Sequence, residues 1–363
     1  MESPTLGEIP GSNHAPANAA VPKRGGIDSA GHATPGLARR ANASPRGATP
    51  KFEASEPALG LRDRVLFEAM RAALFLLSLI PDFVLYPLAV AGALIVHRLD
   101  RRHARIGLKN LAIAFPECSE AERQRILRAS YANLGRSAAE YIRLGGCFYR
   151  RLIGRISYDG IERREDVERR YPGRGVLILT AHFGSFELLP AGHALRGHQI
   201  SLVHRTQSFV AGDALLSWVR RRAGVETLRK RSAARAVLKA LRAGKLVGIP
   251  LDQNTRRREA VFVSFFSELA ATTGGLARLA LMSGAPVVPV FIVRQPDSRT
   301  HRIEIQDEIP LAKTGNLEAD ILENTRRFNA AIEAIVRRYP EQFLWTHRRY
   351  RTRPPGASKV YDC

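Results

Sequence analysis

Val176-Leu177-Ile178-Leu179-Thr180-Ala181-His182-Phe183-Gly184-Ser185-Phe186-Glu187-Leu188-Leu189 is the stretch from which the rest of the chain can be read. Its aliphatic run has the length of one buried strand, and it stops at a histidine just before a helix-like sequence begins. His182 therefore sits at a strand's carboxyl end, the edge where open α/β sheets bind their ligands. Gly184 permits a positive φ or a close approach of backbone to substrate. Glu187 lies five residues beyond the histidine, so a turn into the helix can bring its carboxylate back toward the imidazole. A carboxylate there would hold one ring nitrogen protonated and leave the other free as a base. Taken alone, the spacing more often marks a polar strand end and a charge in a first helical turn.

Working outward, the same alternation recurs downstream. Candidate strands fall at 199–204, 246–251, 287–293 and 302–306, and helical stretches at about 185–195, 211–223, 232–243 and 274–283. Strands alternating with helices predict βαβ units, hence an α/β fold with a mainly parallel central sheet flanked by helices. Gly244 and Gly284 stand where helices should stop. Pro289, inside a candidate strand, predicts an edge position or a bulge. A last helix over 317–338 carries Ile321, Thr325, Phe328, Ile332 and Ile335 on one face. Upstream, Ser119-Glu120-Ala121-Glu122 reads as a capping box opening a helix that runs toward Leu144.

Residues 72–96 form a stretch whose one charge is Asp82, long enough to cross a bilayer. Pro81, Asp82 and Pro87 leave four forms open: a kinked span, an apolar hairpin, a segment lying in the interface, or two core helices. His97, Arg98, Arg101, Arg102, His103 and Arg105 follow at once, which favours an anionic, cytoplasmic leaflet. Before this segment, residues 1–60 are rich in Ala, Pro, Gly and Ser, show no secretory pattern, and read as a disordered low-complexity tail. The expected organisation is that tail, an apolar membrane-associated helical segment with a basic flank at 61–105, one α/β domain at 106–354, and a short C-terminal tail at 355–363.

The chain of 363 residues has a formal charge of +22, and only +1 belongs to residues 1–60. The basic folded part should attract a polyanion. Nucleic acid fits poorly, because the basic residues are dispersed and no nucleic-acid motif is present. A metallohydrolase fits poorly as well, since there is no His-Glu-x-x-His and no clustered third ligand near His182 and Glu187. Cys118, Cys147 and Cys363 show neither paired nor metal-like spacing, which suits a reducing compartment.

His182-Phe183-Gly184-Ser185-Phe186-Glu187 resembles the His-x4-Asp/Glu signature of glycerolipid-type acyltransferases. In particular it resembles the His-Phe-Gly-Asn-Trp-Glu form of the lipid A late acyltransferases, from which Ser185 and Phe186 depart. The same family's segments are matched in order. Asn110-Leu111-Ala112-Ile113-Ala114-Phe115-Pro116 comes first, followed by Asn133, Gly135, Arg136 and Glu140, read first as helix-packing residues. Val203-His204-Arg205 comes next, then Asp252-Gln253, then Val261 to Phe266 with Ser264 and Ser267 as departures, and finally Trp345-Thr346-His347-Arg348-Arg349. The resemblance runs from about residue 76 to residue 354 and implies acyl transfer without a metal or other cofactor. The donor it implies is an acyl carrier protein thioester, and the acceptor a hydroxyl of a phosphorylated glucosamine lipid at the cytoplasmic face of the inner membrane. The runner-up acceptor is a glycerophospholipid or an amino-acid or sugar lipid.

In this reading His182 is the general base and Glu187 orients it. N–H groups around Gly184 would stabilise the oxyanion. Arg205, at a second strand end, either grips a phosphate or is a solvated charge. Asp252 and Gln253 end a third strand, where Asp252 either orients a substrate hydroxyl or amine or caps the local turn. Phe265 and Phe266 are equally core aromatics or an acyl-chain wall.

Overall fold

The computed structural model describes residues 59–229 and 233–361. The expected tail at 1–60 therefore lies outside the described residues except for its last two positions, as do Lys230, Arg231 and Cys363. At the centre is β2 (Val176–Thr180), flanked by β5 (Leu246–Pro250) and β8 (Val287–Arg294). Beyond β5 come β3 (Ile200–His204) and β4 (Glu226–Arg229), and beyond β8 come β9 (His301–Ile305) and β1 (Ile156–Asp159). Every pairing in this sheet is parallel except β8 with β9. β2 and β8 are buried along their whole length, as continuous aliphatic strands covered on both faces must be.

The pleat sorts β2 between two cores. Leu177 and Leu179 pack with α8 (Ala233–Arg242), α9 (Gly275–Ser283) and α10 (Leu317–Arg338), whereas Val176 and Ile178 face α5 (Ile161–Arg170), α6 (Leu188–Leu195) and α7 (Val210–Arg222). The expected mixed α/β layering with a mainly parallel sheet is what is observed. Several elements were not legible. β1 and β4 are four-residue edge strands without an apolar run, and α5 buries only Val167. A separate hairpin, β6 (Ala260–Phe265) with β7 (Glu268–Thr273), packs on α10. Pro289 lies neither at an edge nor in a bulge, because β8 has neighbours on both sides and its pairings with both run without a skipped residue. Its carbonyl accepts from Gln306 N beyond the last β8–β9 pair, Val290 with Ile305, so its missing N–H faces the side where that ladder has ended.

The apolar N-terminal stretch is two helices, α1 (Leu61–Leu77) and α2 (Asp82–Leu99), broken at Ser78–Pro81. Asp82 is tied to α4 (Glu120–Gly145) by Arg143 and also pairs with Arg155. α2 is long and apolar enough to cross a membrane, and it leaves Phe83, Leu88, Ile95, Val96 and Leu99 exposed. α3 (Arg101–Ala114) follows at once, capped by the Asp100 side chain on His103 N. The expected capping box opens α4: Ser119 and Glu122 each hold the other's backbone N–H.

Candidate active site

β2 and β5 are adjacent, parallel and in register, with Thr180 opposite Pro250. Two residues past each strand, His182 and Asp252 therefore meet at the sheet's carboxyl edge. His182 Nδ1 lies 3.0 and 3.2 Å from the two Asp252 oxygens, and the His182 backbone N–H donates to Oδ1 at 3.1 Å. Asp252 is buried, while the imidazole keeps about a fifth of its surface open, at 22%. Burial opposes charge on the ring, but the Asp252 carboxylate and its hydrogen bond outweigh it, with Glu187 adding, so the His182 pKa lies above its usual value. Burial likewise pushes Asp252 up, and the imidazole and its hydrogen bonds pull it down further, so its pKa is low. An ionised Asp252 takes the Nδ1–H, leaving Nε2 with its lone pair, and Gln253 Nε2 stands 3.3 Å from it.

Here the structure differs from the expectation that Glu187 orients the imidazole. Glu187, the residue before α6, receives two hydrogen bonds from Arg220 of α7, from Nε at 2.9 Å and from a terminal nitrogen at 2.6 Å. A planar guanidinium matches both carboxylate oxygens at once, so Arg220 holds Glu187 and its charge reaches His182 only through space. In the run Arg220-Arg221-Arg222, Arg220 is buried and its two neighbours are exposed.

Gly184 takes a positive φ, +59°, and a Cβ there would lie 1.9 Å from the Ile292 carbonyl oxygen, so conformation and space both require glycine. Arg205 is an exposed rim residue whose charge reaches His347. Phe265 and Phe266 are both buried, their rings 5.0 Å apart. Phe265 also lines a small crevice beside Asp252, together with Trp345, Tyr350 and Arg349. A more open recess lies between α4 and residues 342–346, and is lined by His182, Gly184, Phe186, Tyr131, Leu134 and Trp345.

Two further residues brace this edge. Asn110 of α3 donates to the Trp345 and His347 carbonyls, at 2.6 and 2.8 Å, which clamps the C-terminal loop to the sheet edge. His347 accepts from Asn254 N at 3.0 Å, and burial, helped by Arg349, lowers its pKa to about 4, so it stays neutral beside the site.

The family model for bacterial lipid A biosynthesis acyltransferases matches residues 57–352. The chain is 31% identical over 293 residues to the lipid A biosynthesis lauroyltransferase of Escherichia coli K12, covering 79% of this chain and 92% of that protein. It is 30% identical over 279 residues to the palmitoleoyltransferase of the same organism, covering 74% and 85%, and 29% identical over 264 residues to its myristoyltransferase, covering 73% and 80%. With matches spanning the whole sheet and every strand end described above, the chain belongs to the bacterial lipid A biosynthesis acyltransferases and is an O-acyltransferase enzyme of lipopolysaccharide biosynthesis.

Proposed function

We propose that this enzyme moves a fatty acyl chain from an acyl carrier protein thioester to a hydroxyl of a phosphorylated glucosamine lipid, with His182 as general base. The observation that carries this reading is the imidazole's polarity: Nδ1 faces a buried carboxylate, and the ring borders an open recess. The acceptor hydroxyl displaces the Gln253 amide from Nε2 and gives its proton there as its oxygen bonds to the thioester carbonyl carbon. Asp252 and, from further away, Glu187 stabilise the imidazolium. When the tetrahedral intermediate collapses, the carbon–sulfur bond breaks and the imidazolium returns the proton to the departing thiolate. The Ser185 and Phe186 N–H groups, which meet no acceptor among the described residues, serve the oxyanion. Arg205 at the rim meets a substrate phosphate.

The acceptor is a lipid, so the site must work at a membrane. The exposed apolar side of α2, next to exposed Arg98, Arg101, Arg102 and Arg105, suits the anionic cytoplasmic face of the inner membrane. The test is mass spectrometry of lipid A from cells with and without the protein, run beside a His182→Ala strain. One acyl chain should be missing in both deficient strains, and its position names the acceptor hydroxyl. An unchanged lipid A together with an altered phospholipid pool would assign the enzyme another acceptor.

A further inference from the structure

Two residues beyond His182, both peptide groups of Gly184 are held from outside their own segment. The Gly184 N–H donates to the Gln342 carbonyl at 2.8 Å, and its carbonyl accepts from Ser137 Oγ at 3.2 Å and Asn133 Nδ2 at 3.4 Å. These holders are in turn held by one residue, Arg294, the last of β8. Its Nε donates to Asn133 Oδ1 at 2.7 Å and a terminal nitrogen donates to Ser137 Oγ at 3.1 Å. Its backbone N–H and carbonyl bond the Gln342 side-chain amide at 2.8 and 3.0 Å. Both terminal nitrogens reach Glu140 of α4, one at 2.9 Å, and His301 Nε2 stands 2.8 Å from the same carboxylate. Glu140, Arg294 and His301 are all buried.

Stability gives little reason for such an arrangement. Two buried charges are commonly replaced by apolar side chains of similar volume without loss. What apolar side chains cannot do is set the directions of Asn133, Ser137 and Gln342 together. The sequence reading took Asn133 and Glu140 as packing residues of a helix, and their hydrogen bonds point instead to the turn after β2.

We propose that Glu140 and Arg294 are positioning residues for acyl transfer: through Asn133, Ser137 and Gln342 they set the one backbone turn that carries both His182 and Glu187. The clamp also fixes a donor. The peptide between Gly184 and Ser185 is trans, so a carbonyl held toward α4 turns the Ser185 N–H the opposite way. A turn free to rotate this peptide would lose that donor and misplace the base. The inference rests on the His182-centred reading above.

The experiment is steady-state transfer from an acyl carrier protein thioester to the glucosamine lipid in mixed micelles, with the full chain. Glu140→Leu/Arg294→Met removes both charges at once and should still fold, with native circular dichroism and a cooperative melt. Its kcat should drop about 10²-fold, the cost of a small misplacement of reacting groups, while KM for either substrate stays within about threefold. Ser137→Ala, which leaves the ion pair in place, should lower kcat about three- to tenfold. A folded double variant with kcat within about threefold of wild type would overturn the inference. If the double variant fails to fold, wild-type kcat in Ser137→Ala overturns it. His182→Ala is assayed in parallel, and wild-type activity there would sink the reading of the base instead, whatever the clamp variants do.

Discussion

At the scale of single residues, the chemistry divides between two carboxylates. Asp252 bonds the imidazole and Glu187 bonds Arg220, so their amides should fail differently. In the proposed mechanism the acting imidazole is neutral, so the rate should rise with pH through the His182 pKa, which Asp252 holds above the usual value against burial. Asp252→Asn removes the main raising charge, so burial, the largest influence, lowers the pKa against the more distant Glu187. The acid limb of kcat should then move to lower pH while the plateau falls about 10²–10⁴-fold. A limb that does not move would mean that His182 does not feel Asp252. Glu187→Gln strands a buried guanidinium, so denaturant unfolding should show a loss of about 3 kcal/mol alongside the lost rate. His182 was legible because an aliphatic run stops at it. The partnership with Asp252 was not, since the two lie 70 residues apart and only the β2–β5 register joins them. Arg220 was hidden inside a run of three arginines.

Elements add constraints that no one side chain carries. Gly184→Ala would force an L side chain into φ +59° against the Ile292 carbonyl, so the turn must shift. Strain of that kind costs about 1–3 kcal/mol before the clash is counted. Thermal melts should register it, and a wild-type melting temperature with wild-type activity would show that the turn tolerates displacement. For α2 the opposite holds, because its outer face is exposed among the described residues. Leu88→Lys with Ile95→Lys should leave folding within about 0.5 kcal/mol, as exposed sites do. It should nevertheless reduce cosedimentation with phosphatidylglycerol-containing vesicles at least about tenfold, since each buried aliphatic side chain contributes about 1.5–3 kcal/mol to partitioning. Equal cosedimentation would remove this face from the membrane contact. The long strands and amphipathic helices were readable from their periods. β1, β4 and α5 were not, because a short edge strand or a highly charged helix buries too little to leave a pattern.

For the molecule as a whole, the excess of positive charge has a kinetic consequence. With the donor proposed above, an acidic carrier protein, exposed Arg221, Arg222, Arg256, Arg257 and Arg258 would offer a surface to approach that a coenzyme A thioester engages far less. For one acyl chain, kcat/KM should favour the carrier-protein thioester at low salt, with the advantage shrinking as salt screens the encounter. Equal values for the two donors, or a carrier-protein rate indifferent to salt, would leave these arginines to the membrane alone. The chain's own pattern determined the alternation of strands and helices, the burial of β2 on both faces, and the histidine at its end. These depend on which residues within one segment avoid water. Strand order did not follow from the pattern, and neither did the carboxylate set against the imidazole or the Glu140–Arg294 clamp on Gly184. Those were decided by packing between segments far apart in the chain, where register and the pairing of buried charges exist only once the sheet has closed.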